Sequence, residues 1–450
     1  MEQKNRAIVF IKSNYVYLLI VLIVGLFFSI LRLSKGYSFE WDQVDDSTKV
    51  LSILTQKKPL LIGPRVSNDN GFFVGPYHYY FLLPFYFFSQ GDPIAGKYAV
   101  VLVNILTILI SYILLQKIFK RNLAIITTLI ISACLWIICW NVMYSPLIAI
   151  TTFYICYQAI NKKFNFPLAM LYAGIISNVH LVSISLVPII LISFFISKNK
   201  PSLKQFIVGL TFFVIPFIPI IIFDLRHDFL NLNKVFGMIL NQNLTQEVYI
   251  KNLYLRSFWR SLNIFSIFKN PTIERFLSLI IVLISPLLFT GKKNKILIIL
   301  WIVLPVLFLS QYNGAISEYY YIMVYSLIPL FISLILTKFI KNKIVIYSLV
   351  ILLLTIIGIK IFIDKNDYIT LDDKKAVVQF LVNQKRDQPF YLSYDINIIY
   401  TYGFDYLFSY YKNIPQKIDQ AHLYTIFTNN NLPPDGEVVF TKKIYYLVRR

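Results

Sequence analysis

Apolar runs recur along the whole chain, separated by short polar stretches. A helix rises 1.5 Å per residue, so about 20 apolar residues cross the ~30 Å hydrocarbon core of a bilayer. Runs near that length are Asn14–Leu33, Gly96–Phe119, Leu123–Trp140, Tyr144–Ile160, Phe206–Phe223, Phe276–Thr290, Ile296–Ser310, Tyr319–Thr337 and Ile344–Ile363. Phe166–Ser197 is too long for one such helix and too short for two. Lysines at both its ends predict two short helices that go in and return, turning near Asn178, Val179 and His180. The pattern is that of a mainly α, polytopic membrane protein with about eleven transmembrane helices.

The polar stretches sort by charge. Lys4/Arg6/Lys12, Lys117/Lys120/Arg121, Lys162/Lys163, Lys198/Lys200/Lys204, Lys292/Lys293/Lys295 and Lys338/Lys341/Lys343 form short basic clusters. Such clusters mark the cytoplasmic side. They place the amino terminus inside and the end of the chain outside. The acidic residues other than Glu2 then fall in outer segments or at their edges, in agreement. Three outer segments are large: 34–95, 224–275 and 364–450.

The last of these changes character. Asp372–Gln384 has helical spacing with acids in its first turn. Phe390–Ser393, Leu423–Phe427 and Glu437–Val448 read as strands. The expected organisation is a transmembrane domain over 1–363 and a small extracytoplasmic α+β domain over 364–450. Within 34–95, Tyr77–Ser89 is apolar but short and reads as an interfacial helix. Asp69-Asn70-Gly71 is a turn signal without a catalytic role.

Composition narrows the class. Hydrophobic residues make up 57% and charged residues 14%, while the net charge is +21. The positive charge lies in the clusters between spans rather than on one basic face, which excludes nucleic acid as the partner. Aromatic residues, at 17%, suit interfacial belts. Cys134, Cys139 and Cys156 lie in apolar stretches and suggest neither a disulfide framework nor a zinc site.

A chain that spends most of its length in lipid has few places for aqueous acid–base chemistry. The best is the stretch after the first span, where Glu40, Asp42, Asp45 and Asp46 crowd together beside aromatic side chains. A carboxylate there can act as general base on a hydroxyl within hydrogen-bond reach. Alternatively the acids form a solvated turn, with Asp45 and Asp46 capping a helix over Ser47–Leu54. His180 lies in the middle of an apolar run, where a polar side chain usually faces a cavity. There it either meets a phosphate or sugar hydroxyl, or is a helix-end histidine bonded to backbone. His78 and Tyr80 belong to an aromatic stretch suited to stacking on a sugar ring. Arginines match phosphate oxygens with a planar fork. Arg65, Arg226, Arg256 and Arg260 are the outer candidates, each otherwise a surface charge; Arg226 is best placed, just past a span end.

Phe39-Glu-Trp-Asp42-Gln, Asp46, Lys58-Pro-Leu-Leu-Ile-Gly-Pro64 and Gly75-Pro-Tyr-His-Tyr-Tyr80 with Pro84 resemble the first outer loop of GT-C glycosyltransferases. The likeness is to family 39, with protein O-mannosyltransferases and the lipid A aminoarabinose transferase. It extends to Trp140-Asn141 with Pro146, Gly174 to His180, Phe223-Asp-Leu-Arg-His227 and Glu318-Tyr-Tyr-Tyr321 with Pro329, and fades in the tail. The resemblance implies a sugar donor carried on polyprenyl phosphate or diphosphate. An Asp of the first outer loop deprotonates the acceptor hydroxyl, and attack inverts the anomeric carbon. By position that base is Asp42. The family often has Asp-Glu where this chain has Asp42-Gln43, so a partner role passes to Asp45 or Asp46. The family branch works without a metal, and no Asp-x-Asp or His-rich spacing forces one; no cofactor is expected, with a divalent ion as the alternative.

The leading expectation is a glycosyltransferase of the bacterial cell (inner) membrane. It takes a polyprenyl-phosphate-linked sugar and serves a glycan, lipid or protein acceptor of the cell envelope. A transporter or flippase of lipid-linked saccharides is the alternative. It would show repeated halves with broken helices and ionisable residues at the bilayer midplane. This chain shows no repeat and keeps its acids outside.

Overall fold

The computed structural model describes residues 2–449 except 35, 67–70, 136–138, 241–252, 311–315, 365–368, 385–389, 413, 416–421, 429–436 and 444. Asp69 and Asn70, read above as part of a turn, lie outside the described residues. Among the described residues, seven helices are long and apolar enough to cross a bilayer: Tyr15–Leu33, Ala95–Ile118, Leu203–Arg226, Pro271–Leu288, Lys292–Ser310, Glu318–Phe339 and Lys343–Ile363. Shorter apolar helices occupy Arg121–Cys134, Ser145–Asn161, Phe166–Ser177 and Leu181–Ile196. Large apolar side chains stand exposed along the helix 203–226, among them Ile207, Leu210, Val214, Ile218 and Ile221. Lipid tails cover such a surface without cost, and helices satisfy their own backbone groups there. This is a multi-pass membrane protein.

The chain divides into two compact units, of which one comprises Met1–Leu31, Leu60–His78 and Val101–Ile363. Its core is aliphatic with a few large rings, such as Trp301, whose Nε1 donates to the Met323 carbonyl at 2.9 Å. The long run 166–197 is two helices, Phe166–Ser177 and Leu186–Ile196, joined through Asn178–His180 and a 3-10 turn at Leu181–Ser185. The first of them packs against the helix that begins at Leu203. Glycines allow the close approach. A Cβ on Gly174 would run into the Phe213 carbonyl, and one on Gly209 would stand 2.6 Å from the Phe166 ring. Small residues play this part where helices meet in lipid.

Residues in or beside the internal basic clusters meet one another in this unit. Lys162 Nζ donates to the Lys117 carbonyl at 3.5 Å, and Asn199 Nδ2 donates to the Lys162 carbonyl at 2.9 Å. Asn161 and Asn294 exchange amide hydrogen bonds of 2.8 and 3.2 Å. Lys338 Nζ reaches the Leu287 carbonyl at 3.4 Å.

The other unit comprises Arg32–Pro59, Tyr79–Val100 and Asp364–Arg450, so the tail shares a fold with pieces of the first outer segment. The helix expected from Asp372 spans Leu371–Gln384. Four strands, β1 (Phe390–Asp395), β2 (His422–Thr428), β3 (Glu437–Lys442) and β4 (Tyr445–Arg449), form a sheet ordered β1-β2-β4-β3. β1 runs parallel to β2, while β4 is antiparallel to both β2 and β3. The stretch 437–448, read above as one strand, is a hairpin. It turns at Lys443, whose φ is 51°.

Candidate active site

In the unit that contains the tail, the acidic helix starts earlier than the sequence pattern suggests. It spans Trp41–Gln56, not Ser47–Leu54. Glu40 is the N-cap residue, and its backbone N–H donates to Gln43 Oε1 at 3.0 Å. Asp45 and Asp46 therefore lie inside the helix rather than at its N-cap. The difference has a local cause. Two adjacent acids before an apolar run look like an N-cap, but the reciprocal bond of a capping box needs acceptors three residues apart, which Glu40 and Gln43 supply. The Gln43 that departs from the family's Glu is buried and does this structural work.

Asp42 stands exposed on the first turn of that helix, where backbone N–H groups and the helix dipole favour a carboxylate. Asp45 is half-buried and Asp46 is 4% exposed. The Tyr79 hydroxyl donates to Asp45 Oδ2 at 3.4 Å. Burial first, then the negative charges of Asp46, Asp45 and Asp42, push the Tyr79 phenol well above its ordinary range and keep it a proton donor. Ser47 and Tyr86 share a hydroxyl hydrogen bond of 2.5 Å beneath the helix. Tyr80 is partly exposed.

The residues just ahead of Asp42 are held by the tail. Leu371 N–H donates to the Tyr37 carbonyl at 2.7 Å. Lys374 Nζ donates to the Phe39 carbonyl at 2.7 Å and the Tyr402 carbonyl at 2.6 Å. The Trp41 and Tyr402 rings meet edge to face at 5.0 Å. Gly403, at φ 92°, lies so close that a Cβ would stand 2.6 Å from the Phe39 ring. Lys375 pairs with Asp92 at 2.6 Å, and the Tyr406 hydroxyl donates to the Gly91 carbonyl at 2.7 Å.

In the helical unit, polar groups collect away from the basic clusters. Asn141 Nδ2 donates to the Val179 carbonyl at 2.9 Å, and Gly75 N–H donates to the Asn178 carbonyl at 3.0 Å. His180 is buried at the head of the 3-10 turn, with its Nδ1 accepting from Val182 N–H at 3.4 Å. The Tyr319 and Tyr320 rings flank it at 6.4 and 5.8 Å, and Trp140 meets Tyr319 at 5.6 Å. His180 thus makes the backbone bond weighed above while sitting in an aromatic cluster. His78 is also buried, and its Nδ1 lies 3.0 Å from the Tyr144 hydroxyl.

The arginines differ from one another. Arg260 pairs with Glu318 at 3.2 Å, and the Arg65 guanidinium lies 5.0 Å over the Phe73 ring. Arg226, at the end of its helix, and Arg256 are both exposed and have no ion-pair partner among the described residues. Of the resembling Phe223-Asp-Leu-Arg-His227 stretch, Asp224 has a structural role. Its carboxylate accepts from Asn231 N–H at 2.7 Å and Leu232 N–H at 3.2 Å. Asn231 in turn brackets the Phe73 backbone, accepting at 2.6 Å and donating at 3.2 Å. Gln43, Tyr79, Asn231 and Lys374 do not stand out in the sequence. Only the Glu40–Gln43 spacing carries a local signal. Among the described residues, no three His, Cys, Asp or Glu gather to hold a metal ion.

No protein-family model matches the chain. Sequence comparison with curated proteins gives no match either. Comparison of folds does. The chain superposes on ArnT from Cupriavidus metallidurans, solved with bound undecaprenyl phosphate, with a TM-score of 0.60 at 10% identity, over 96% of this chain and 97% of that one. It also superposes on the Archaeoglobus fulgidus oligosaccharyltransferase, solved with Zn and sulfate, with a TM-score of 0.50 at 12% identity, covering 88% of this chain. There it spans 62% of the longer protein. ArnT is an aminoarabinose transferase, and both are GT-C membrane glycosyltransferases. The chain shares their fold.

Proposed function

We propose that this protein is a membrane glycosyltransferase that moves a sugar from a polyprenyl-phosphate-type lipid donor to an acceptor hydroxyl on the outer face of a bacterial inner membrane. The observation that carries the proposal is the fold shared along nearly the whole chain with a transferase solved on undecaprenyl phosphate. The exposed Asp42 on a helix first turn supports its role within that reading.

Asp42 is the general base. Its carboxylate takes the proton of the acceptor hydroxyl as the oxygen attacks the anomeric carbon. The new C–O bond forms opposite the bond to phosphate, which breaks with its electron pair passing to the lipid phosphate. The configuration therefore inverts. The leaving phosphate needs a cation. Arg226 and Arg256 are favoured, because neither is engaged by a described acid. Arg65, Arg260 and His180 are further candidates for the donor phosphate, with His78 and Tyr80 for the sugar. Asp45 or Asp46, on the same helix, supports the base through its negative charge. The acceptor is a glycan, lipid or protein hydroxyl. The amino terminus is cytoplasmic and 364–450 lies outside.

Asp42→Asn keeps the side chain's shape and removes its basicity. Transfer from a polyprenyl-phosphate sugar to acceptor should fall by about 10²-fold or more, within the range of a lost general base. Membrane insertion and the unfolding temperature in detergent should be unchanged. Turnover retained in that variant would remove Asp42 from the mechanism.

A further inference from the structure

We propose that the tail is a clamp on the catalytic loop, with Lys374 as the positioning residue that sets where Asp42 stands. The role in catalysis rests on the reading of Asp42 as base; the clamp itself does not.

The chain from Tyr37 to Trp41 is gripped at alternate residues by the tail helix Leu371–Gln384 and by the turn at Tyr402 and Gly403 with the short helix Phe404–Tyr410 that follows it. The Tyr37 carbonyl takes Leu371 N–H, and the Phe39 carbonyl takes Lys374 Nζ. The Phe39 ring fits over Gly403 and meets Tyr406 at 5.6 Å, and the Trp41 ring meets Tyr402. Lys374 joins both sides, since the same ammonium holds the Tyr402 carbonyl. It is 1% exposed, and no carboxylate pairs with it among the described residues. A lysine buried only to satisfy charge would sit against an acid, as Lys375 does against Asp92. Two carbonyls from distant parts of the chain, held by one buried donor, are kept at a set distance instead. Glu40, the N-cap, follows Phe39 directly and Asp42 lies two residues further on, so the clamp sets the start of the acidic helix and the direction of its first turn.

A catalytic group displaced by about 1 Å can lose about 10²-fold in rate without any change in what the enzyme binds. Lys374→Met keeps the unbranched stem of the side chain and removes the donor. In full-length protein in detergent, kcat should fall by about 10- to 100-fold with donor and acceptor KM unchanged. Amide hydrogen exchange over residues 37–46 should speed up at the same time. Lys375→Met is the control. It loosens the tail at Asp92, away from Phe39, and should leave both readings near wild type. Equal losses in the two variants would reduce Lys374 to general stability and overturn the proposal. So would wild-type kcat in Lys374→Met. If Lys374→Met does not accumulate, Tyr402→Ala tests the clamp at Trp41 instead: it removes the half-buried ring that meets Trp41 and leaves the carbonyl that Lys374 holds. It should lower kcat several-fold, with KM kept and exchange at 37–46 raised; wild-type values would overturn the clamp. Faster exchange in these variants, alongside full activity in Asp42→Asn, would leave the clamp standing and place the failure in the assignment of the base.

Discussion

An ammonium taken out of water among carbonyls loses solvation that hydrogen bonds only partly replace. For Lys374, burial lowers the pKa to about 8, opposed by the nearby charge of Glu40. In the unfolded chain a lysine titrates near 10.4. Between these values the unfolded state holds a proton that the folded state has released, so stability rises with pH across that window. Below pH 8 both states are protonated and the dependence from this residue disappears. The total rise is on the order of 3 kcal/mol, at about 1.4 kcal/mol for each pH unit of the window. Asp373, next in the helix, shows the opposite balance. Burial alone would raise it, but Lys443 at 2.8 Å and Thr370 outweigh that and hold it below the ordinary carboxylate value. Its contribution is complete well below pH 8 and does not mask the lysine. Unfolding temperatures of the full chain in detergent at pH 7.5, 8.5 and 9.5, compared with Lys374→Met, isolate the effect. Wild type should gain on the variant as pH rises; a constant difference would mean that Lys374 titrates normally. Nothing local in the sequence marks this residue. Asp372-Asp373-Lys374-Lys375 reads as a charged first turn, and its partners come from positions 39 and 402.

Elements are legible where their signal is local. The two short helices of 166–197 follow from run length and flanking lysines, and the tail helix from its periodicity. The sequence pattern starts the acidic helix six residues late, since its cap is a Glu–Gln pair rather than the adjacent aspartates. The hairpin 437–449 reads as one strand, because its turn at Lys443 has no Gly, Asn or Pro to announce it. The packing of helices is not legible at all, yet it gives a test. Gly174 faces the Phe213 carbonyl, which is backbone and cannot swing aside. Gly174→Leu should push the helix 166–177 away from 203–226 and cost about 1–3 kcal/mol, the usual range for overpacking. A lower unfolding temperature in detergent and less folded protein in the membrane are expected. Gly358→Ala is the comparison, since a Cβ there would meet only the Phe28 ring at 3.9 Å. Equal behaviour of the two variants would show that the close approach at Gly174 does not matter.

For the whole molecule, the basic clusters do more than mark an orientation. Lys162 is tied to Lys117 and Asn199, and its neighbour Asn161 to Asn294, by side-chain hydrogen bonds, although they come from separate polar stretches. The chain between Lys162 and Asn199 therefore leaves this end and comes back to it. The 12 residues of Phe166–Ser177 rise about 18 Å, and the 3-10 turn and 11-residue helix of Leu181–Ile196 together about 26 Å, each short of the ~30 Å hydrocarbon core. The turn at Asn178–His180 consequently lies within reach of the opposite interface rather than far beyond it, where polar backbone needs protein or water around it. Cysteines placed at Lys163 and Lys200, with Cys134, Cys139 and Cys156 replaced, test the membrane side. Both should react with an impermeant maleimide only when the cytoplasmic face is open. A cysteine at Lys375 should react from outside in intact cells. Labelling of 163 and 200 from opposite faces would make 166–197 a single crossing and reverse the side assigned to every later segment. Labelling of both from outside would turn the protein over and put Asp42 in the cytoplasm, away from an acceptor in the envelope.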